Sequence, residues 1–335
     1  MIDMKNRRTI LNAFWALTAC ICLSCNNSTS SSPDEGNWVE ESDFEGATRS
    51  GAVAFVIDDF AFVGTGYDGD DRLVDFWRYE PDRNTWFRIA DFPGVARNSA
   101  VAFAANGKGY VGTGYDGDVE LNDFWEYDPA LDSWTQIADF PGAARFGALS
   151  FTLNDEGYVG TGNDGDNNLK DFYKYSPSSN TWVQISSMGG SKRQGAFNFV
   201  IDGLAYVGGG LHNGIHQEDF WMYDPATDLW TEKNDLDDDD TGDPEVLREY
   251  AASFSIGSFG YISVGKRLSN LIDTWRYNPD ADEWEELTEF EGSAREQAVS
   301  FTILDFAYVA TGRNINARYD DIWAFRPLEE FDEED

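Results

Sequence analysis

The sequence predicts an all-β fold: a six-bladed β-propeller of four-stranded antiparallel blades, closed by an N-terminal strand that completes the last blade. Three observations lead there. A pattern of short apolar runs and glycine turns recurs six times, its glycine triplet beginning at Gly64, Gly112, Gly160 and Gly208, each 48 residues after the last. The chain opens with the end of one copy and stops before the end of another. No segment within a copy carries a helical period of useful length.

The first 25 residues read as an export signal, with Lys5, Arg7 and Arg8 preceding the apolar run from Ile10 to Leu23. All three cysteines, Cys20, Cys22 and Cys25, lie here, so the repeats hold neither a disulfide nor thiol chemistry. Leu17-Thr18-Ala19-Cys20 resembles a bacterial lipobox, and Cys25, with the polar spacer directly after it, competes for lipidation; a plain secretory signal is the alternative. Residues 26–36 read as a flexible tether, 37–327 as the propeller and 328–335 as an acidic tail. The chain is expected in the cell envelope, lipid-anchored to the outer membrane, or secreted if no lipid is attached.

One repeat shows what each element is for. Ala100–Ala104, Gly109–Gly114, Asp123–Tyr127 and Trp134–Phe140 read as strands, separated by Asn106-Gly107, an acidic loop and Asp128-Pro129. Glycine lets a strand end turn closely against its neighbour, and each tryptophan supplies a large apolar area to a core that must be largely aromatic. Weaker triplets follow at Ser263-Val264-Gly265 and Ala310-Thr311-Gly312. Trp38 lies 48 residues before Trp86, which makes residues 37–44 a fourth strand without its first three. The sixth copy lacks a fourth strand, so pairing 37–44 with 321–326 removes two exposed edges at once.

The glycine-rich second strand, the Asp-Phe-Trp-x-Tyr-Asp-Pro third strand and the fourth-strand Trp resemble the kelch repeat across residues 37–326. The resemblance implies blades built on paired aromatics, a narrow axial channel lined by first strands, and function carried by loops at the two faces. Departures fall in the fifth copy, where Lys266 and Arg267 follow Gly265, and at Asp237–Val246, which lengthens the Arg193 to Arg248 interval to 55 residues.

A formal net charge of -37 makes nucleic acid and bare anionic membrane poor partners, leaving the membrane to be reached only through a lipid anchor. Gly64-Thr65-Gly66-Tyr67-Asp68-Gly69 fits a dinucleotide fingerprint, but these glycines lead into another strand and not a helix. Paired acids flank a glycine in each early loop, namely Asp68 and Asp70, Asp116 and Asp118, Asp164 and Asp166. They are oxygen-rich enough for calcium, the one cofactor considered, yet a solvated hairpin tip would look the same.

An arginine precedes every first strand: Arg49, Arg97, Arg145, Arg193, Arg248 and Arg295. As a ring on the loop face they are ligand candidates. Equally, each has a repeated aspartate to pair with, Asp75, Asp123, Asp171, Asp219, Asp273 or Asp321, and structural use in every repeat is the favoured reading. His212, His216, Lys266 and Arg267 complete the ligand-face candidates, because they break the repetition. Some kelch propellers are copper oxidases with a Tyr-Cys crosslink, for which this chain lacks the cysteine. Others are sugar epimerases or mutarotases. The reading that follows is a monomeric, exported recognition module for a carbohydrate or protein ligand, with no catalytic residue assigned; a sugar isomerase is the alternative.

Overall fold

A computed structural model describes residues 35–236 and 246–332. The export signal with Cys20 and Cys25, the tether as far as residue 34, the run from 237 to 245 and residues 333–335 lie outside the described residues.

Six four-stranded antiparallel sheets are present, each running outward from first to fourth strand, with no α-helix among the described residues. Blade 2 is representative: Val101–Ala105, Lys108–Gly112, Phe124–Asp128 and Ser133–Gln136. The second strand stops at Gly112 and not at Gly114, because Thr113 turns into the left-handed region at φ 58. The fourth ends at Gln136, four residues early, since Phe140 leaves the sheet to become a buried plug whose N–H bonds the Asn122 carbonyl at 2.8 Å. First strands of successive blades pack side by side, and that of blade 6, Val299–Ile303, meets that of blade 1, Val53–Ile57, so the ring closes.

The closing strand is Glu35–Glu40, hydrogen-bonded to Ile322–Glu330 with Trp38 opposite Phe325. Both elements differ from expectation. The opening strand starts two residues earlier and ends at Glu40, while its partner runs through Pro327 into what reads as tail. A register irregularity between Glu35 and Asn37 accommodates Pro327, which has no N–H to offer a regular ladder.

Aromatic wedges fill the seams. Trp134 of blade 2 lies half-buried 4.9 Å from the Phe76 ring and 5.3 Å from Phe92 of blade 1, and its indole N–H donates to the Ala90 carbonyl at 3.0 Å. Trp182 repeats this on Phe124 and Phe140. The first glycine of a triplet admits the ring behind it, since a Cβ on Gly112 would sit 2.2 Å from Phe124. Near the axis, side chains of blades 3 to 6 tie each first strand to the one before: Ser150 to Ala102, Asn198 to Ser150, Ser253 to Asn198 and Ser300 to Ser253. Blades 1 and 2 carry Ala54 and Ala102 there and rely on packing.

Strand direction fixes the two faces. The loops between second and third strands and the connections into first strands share one, called here the loop face. The segment at Glu35 enters on the opposite face, paired there with Glu330.

Candidate functional site

The repeated arginines belong to the frame. All six are fully enclosed, and each guanidinium bonds both carboxylate oxygens of its aspartate at 2.5–3.1 Å. Arg97 also donates from Nε to the Val95 carbonyl and from a terminal nitrogen to the Thr113 carbonyl, both at 2.9 Å. Asp123 meanwhile accepts the Trp125 indole N–H at 2.8 Å. Burial pushes the Asp75 and Asp123 carboxyls up, but the guanidinium hydrogen bonds and charge outweigh it and hold both below the ordinary range. Placing Arg49, Arg97, Arg145, Arg193, Arg248 and Arg295 among ligand contacts is therefore corrected: their donors are consumed inside the blades. A planar fork with five donors suits this repeated use.

That staple grips a strained residue. The centre of each triplet is left-handed, at Thr65, Thr113, Thr161, Val264 and Thr311 with φ between 51 and 62, and Gly209 takes the place in blade 4. β-Branched residues rarely adopt this conformation. The arginine holds the carbonyl of the strained residue in every blade.

In the acidic loops, Asp68 Oδ1 accepts the N–H groups of Asp70 and Asp71, and Asp116 and Asp164 repeat the turn. These backbone donors, that of Asp71 first for Asp68, hold the three carboxyls below their ordinary value. Asp70, Asp118 and Asp166 stand at the exposed tips. Among the described residues no three acids or histidines converge on a metal position. His212 and His216 sit on a small hairpin, Leu211–His212 with Ile215–His216, turned by left-handed Asn213 and Gly214. Leu211 pairs with His216 and His212 with Ile215, which puts the histidines on opposite faces of the hairpin. His216 reaches blade 5: burial lowers its pKa, a hydrogen bond to the Lys266 backbone opposes this, and the charges of Arg267 and Lys266 lower it further. His216 and Lys266 thus meet, with the Arg267 charge felt there, while His212 lies on the other face of the hairpin.

Close to the axis the residue two after each arginine forms a ring. Gly51, Ser99, Gly147, Gly195, Tyr250 and Gln297 are all left-handed, and each N–H donates to the carbonyl of a neighbour until the circle closes, at 2.8–3.3 Å. The ring floors a basin of about 120 Å³, and first strands line a further axial space of about 180 Å³. Blade 5 breaks the ring's uniformity. Tyr250 at φ 50 is a strained position for a bulky residue, and its side chain lies over Gly195 and Gly147. A Cβ on Gly195 would stand 2.9 Å from the Tyr250 ring, so only glycine leaves room.

Beside Tyr250, Glu249 is 7% exposed and Glu296 is 6% exposed. Glu296 pairs with Arg313 at 3.2 Å and Lys266 at 3.7 Å. The Glu249 carboxyl accepts no hydrogen bond among the described residues, while its backbone carbonyl takes the Lys266 N–H at 2.9 Å. Burial first, then the Glu296 charge, pushes its carboxyl up to about 7, against Lys266 and Arg313.

The Kelch motif family matches residues 158–189, the second to fourth strands of blade 3. The chain is a kelch-repeat β-propeller. A solved structure titled "Structure of YjhT" is similar to this propeller at TM-score 0.71 and 15% identity, covering 83% of this chain and 95% of that one. No curated protein matches it in sequence. The kelch-repeat frame explains the Arg-Asp staples and the wedges. It does not explain Glu249, Tyr250, Glu296 or Arg313, which sequence reasoning missed. A signal for the first three existed: reading the two residues after each repeated arginine gives Ser-Gly, Asn-Ser, Phe-Gly, Gln-Gly, Glu-Tyr and Glu-Gln, and the last two pairs stand apart.

Proposed function

We propose that this propeller is an exported, lipid-anchored recognition module that binds a carbohydrate on its loop face, at the axial mouth beside blades 5, 6 and 1. The observation that carries the reading is Glu249-Tyr250: an enclosed glutamate whose carboxyl accepts no hydrogen bond among the described residues, next to a left-handed tyrosine whose ring lies over the axial glycines Gly147 and Gly195. Features that cost stability persist where function uses them. The basin is small, and Ser99, Tyr250 and Gln297 set polar side chains among its glycines and alanines, which suits a few hydroxyl groups of a sugar better than a protein surface. Chain entry at Glu35, on the face away from the basin, is compatible with an upstream tether that leaves the mouth free.

One observation favours the isomerase alternative. Glu249 exchanges its proton near neutrality beside a second carboxylate, as acid-base catalysis requires. A glycan array run alongside sugar mutarotation and epimerisation assays on the purified protein separates the two. Binding without turnover supports the module, turnover abolished by Glu249→Gln moves the assignment to an isomerase, and a protein ligand with no glycan bound rejects both. Fatty-acid labelling of cells expressing Cys20→Ala or Cys25→Ala tests the anchor; no label on the unaltered protein rejects it.

A further inference from the structure

Where the third strand approaches each seam of the loop face, blades 6 and 1 carry Arg318 and Arg72. Both guanidinium groups lie over the ring of Tyr67, at 4.7 and 5.2 Å from its centre, and Arg72 also lies 4.9 Å from the centre of Tyr115. Arg72 donates from Nε to Asn98 Oδ1 at 2.9 Å. The terminal nitrogens fit against the loop glycines of the next blade, since a Cβ on Gly69 would be 2.8 Å from Arg318 and one on Gly117 would be 2.5 Å from Arg72.

Neither arginine forms an ion pair among the described residues, although the chain has 61 acidic residues against 24 lysines and arginines. Asp68 and Asp116 feel their charges only from a distance. Nor does the seam need a cation. At the equivalent place Asn168 joins blade 3 to blade 4 with a hydrogen bond to the Leu211 carbonyl at 3.0 Å, and Asn270 joins blade 5 to blade 6 through the Arg313 carbonyl at 3.3 Å. A neutral amide closes those seams. Two aromatic-stacked, partly exposed guanidinium groups without a direct carboxylate partner, on consecutive blades, are instead preorganised for an oxyanion.

The geometry points to an anion site, Arg318 and Arg72 both stacked on Tyr67, that takes the carboxylates or sulfate esters of an acidic saccharide. The inference rests on the loop-face reading above and names the class of sugar it selects. Stacking on tyrosine limits the motion of each fork, so less freedom is lost when an oxyanion is bound.

Calorimetric titration of the full chain with oligogalacturonate, a sulfated galactan oligosaccharide and a neutral galacto-oligosaccharide tests it, at low and high salt. Acidic ligands are expected to bind at least about tenfold more tightly than the neutral one, with the preference shrinking as salt rises. Arg72→Gln with Arg318→Gln should abolish the preference; binding of only one acidic ligand identifies its source chemistry. Should that pair fold poorly, Arg318→Lys, which keeps charge but loses the fork, is expected to weaken acidic binding alone. Equal binding of neutral and acidic sugars, or a preference that survives substitution, overturns the anion site and leaves the loop-face module standing. Binding of none of the three saccharides overturns both.

Discussion

In blades 1, 3 and 4 the axial ring is glycine, at Gly51, Gly147 and Gly195, and the residue before it is Ser50, Phe146 or Gln194. In blades 5 and 6 the same two places hold Glu249-Tyr250 and Glu296-Gln297. The arginine one step earlier is identical throughout, with the same aspartate and the same strained carbonyl held in place. Adjacent positions thus answer to different demands. Where a side chain points into the blade, six copies agree because six equivalent holes must be filled; where it points to the mouth, copies diverge because nothing in the frame constrains them. Departure from repetition is therefore informative only at the second kind of position.

The comparison breaks first if the frame is not shared. Arg97→Ala in blade 2 and Arg248→Ala in blade 5 should each cost about 3–5 kcal/mol, because each strands a carboxylate and at least two carbonyls. Denaturant titration checks it, and a much smaller loss in one blade than in the other would show that the staples are not equivalent. Trp134→Ala should follow at about 3 kcal/mol, the low end for an aromatic truncation, because the ring is only half-buried.

The next prediction sharpens the contrast at the mouth. Glu249 has a folded pKa of about 7 against an ordinary 4.5, so the folded chain holds a proton that the unfolded chain releases. Its contribution therefore falls as pH rises through that window and stays unfavourable above it. Glu249→Gln should raise stability at pH 8 by about 1–2 kcal/mol and flatten the pH dependence between roughly 4.5 and 7. Melting curves across pH test this, and a substitution that destabilises at pH 8 would show the carboxylate to be well paired. The smallest effect is expected for Thr113→Gly. Blade 4 already uses Gly209, and the Thr113 hydroxyl is buried without a partner, so stability should stay within about 1 kcal/mol of the unaltered chain.

Much of the frame was legible because it is periodic. Trp38 at one repeat length before Trp86 was enough to place the closing strand, and the Arg-Asp pairing followed from two residue types recurring at one offset. Less legible were the places where a local rule yields. Pro327 reads as a stop, but the edge strand bulges around it and continues to Glu330. Thr113 reads as an ordinary strand residue between glycines, yet it is the left-handed one. His212 and His216 read only as departures from the repetition; the hairpin that carries them and the contact between His216 and Lys266, which joins different blades, came from the structure.

By itself the amino-acid sequence determined the number of blades, the closure and the partners of the six arginines, because each follows from spacing along the chain and from the need to leave no strand edge unpaired. Only the tertiary structure decided that those arginines are sealed in, that Glu249 carries its charge at a cost, and that Arg72 and Arg318 share one tyrosine. Burial and charge depend on which groups from separate blades converge near the axis, and the distance between two such groups is not written in their separation along the chain.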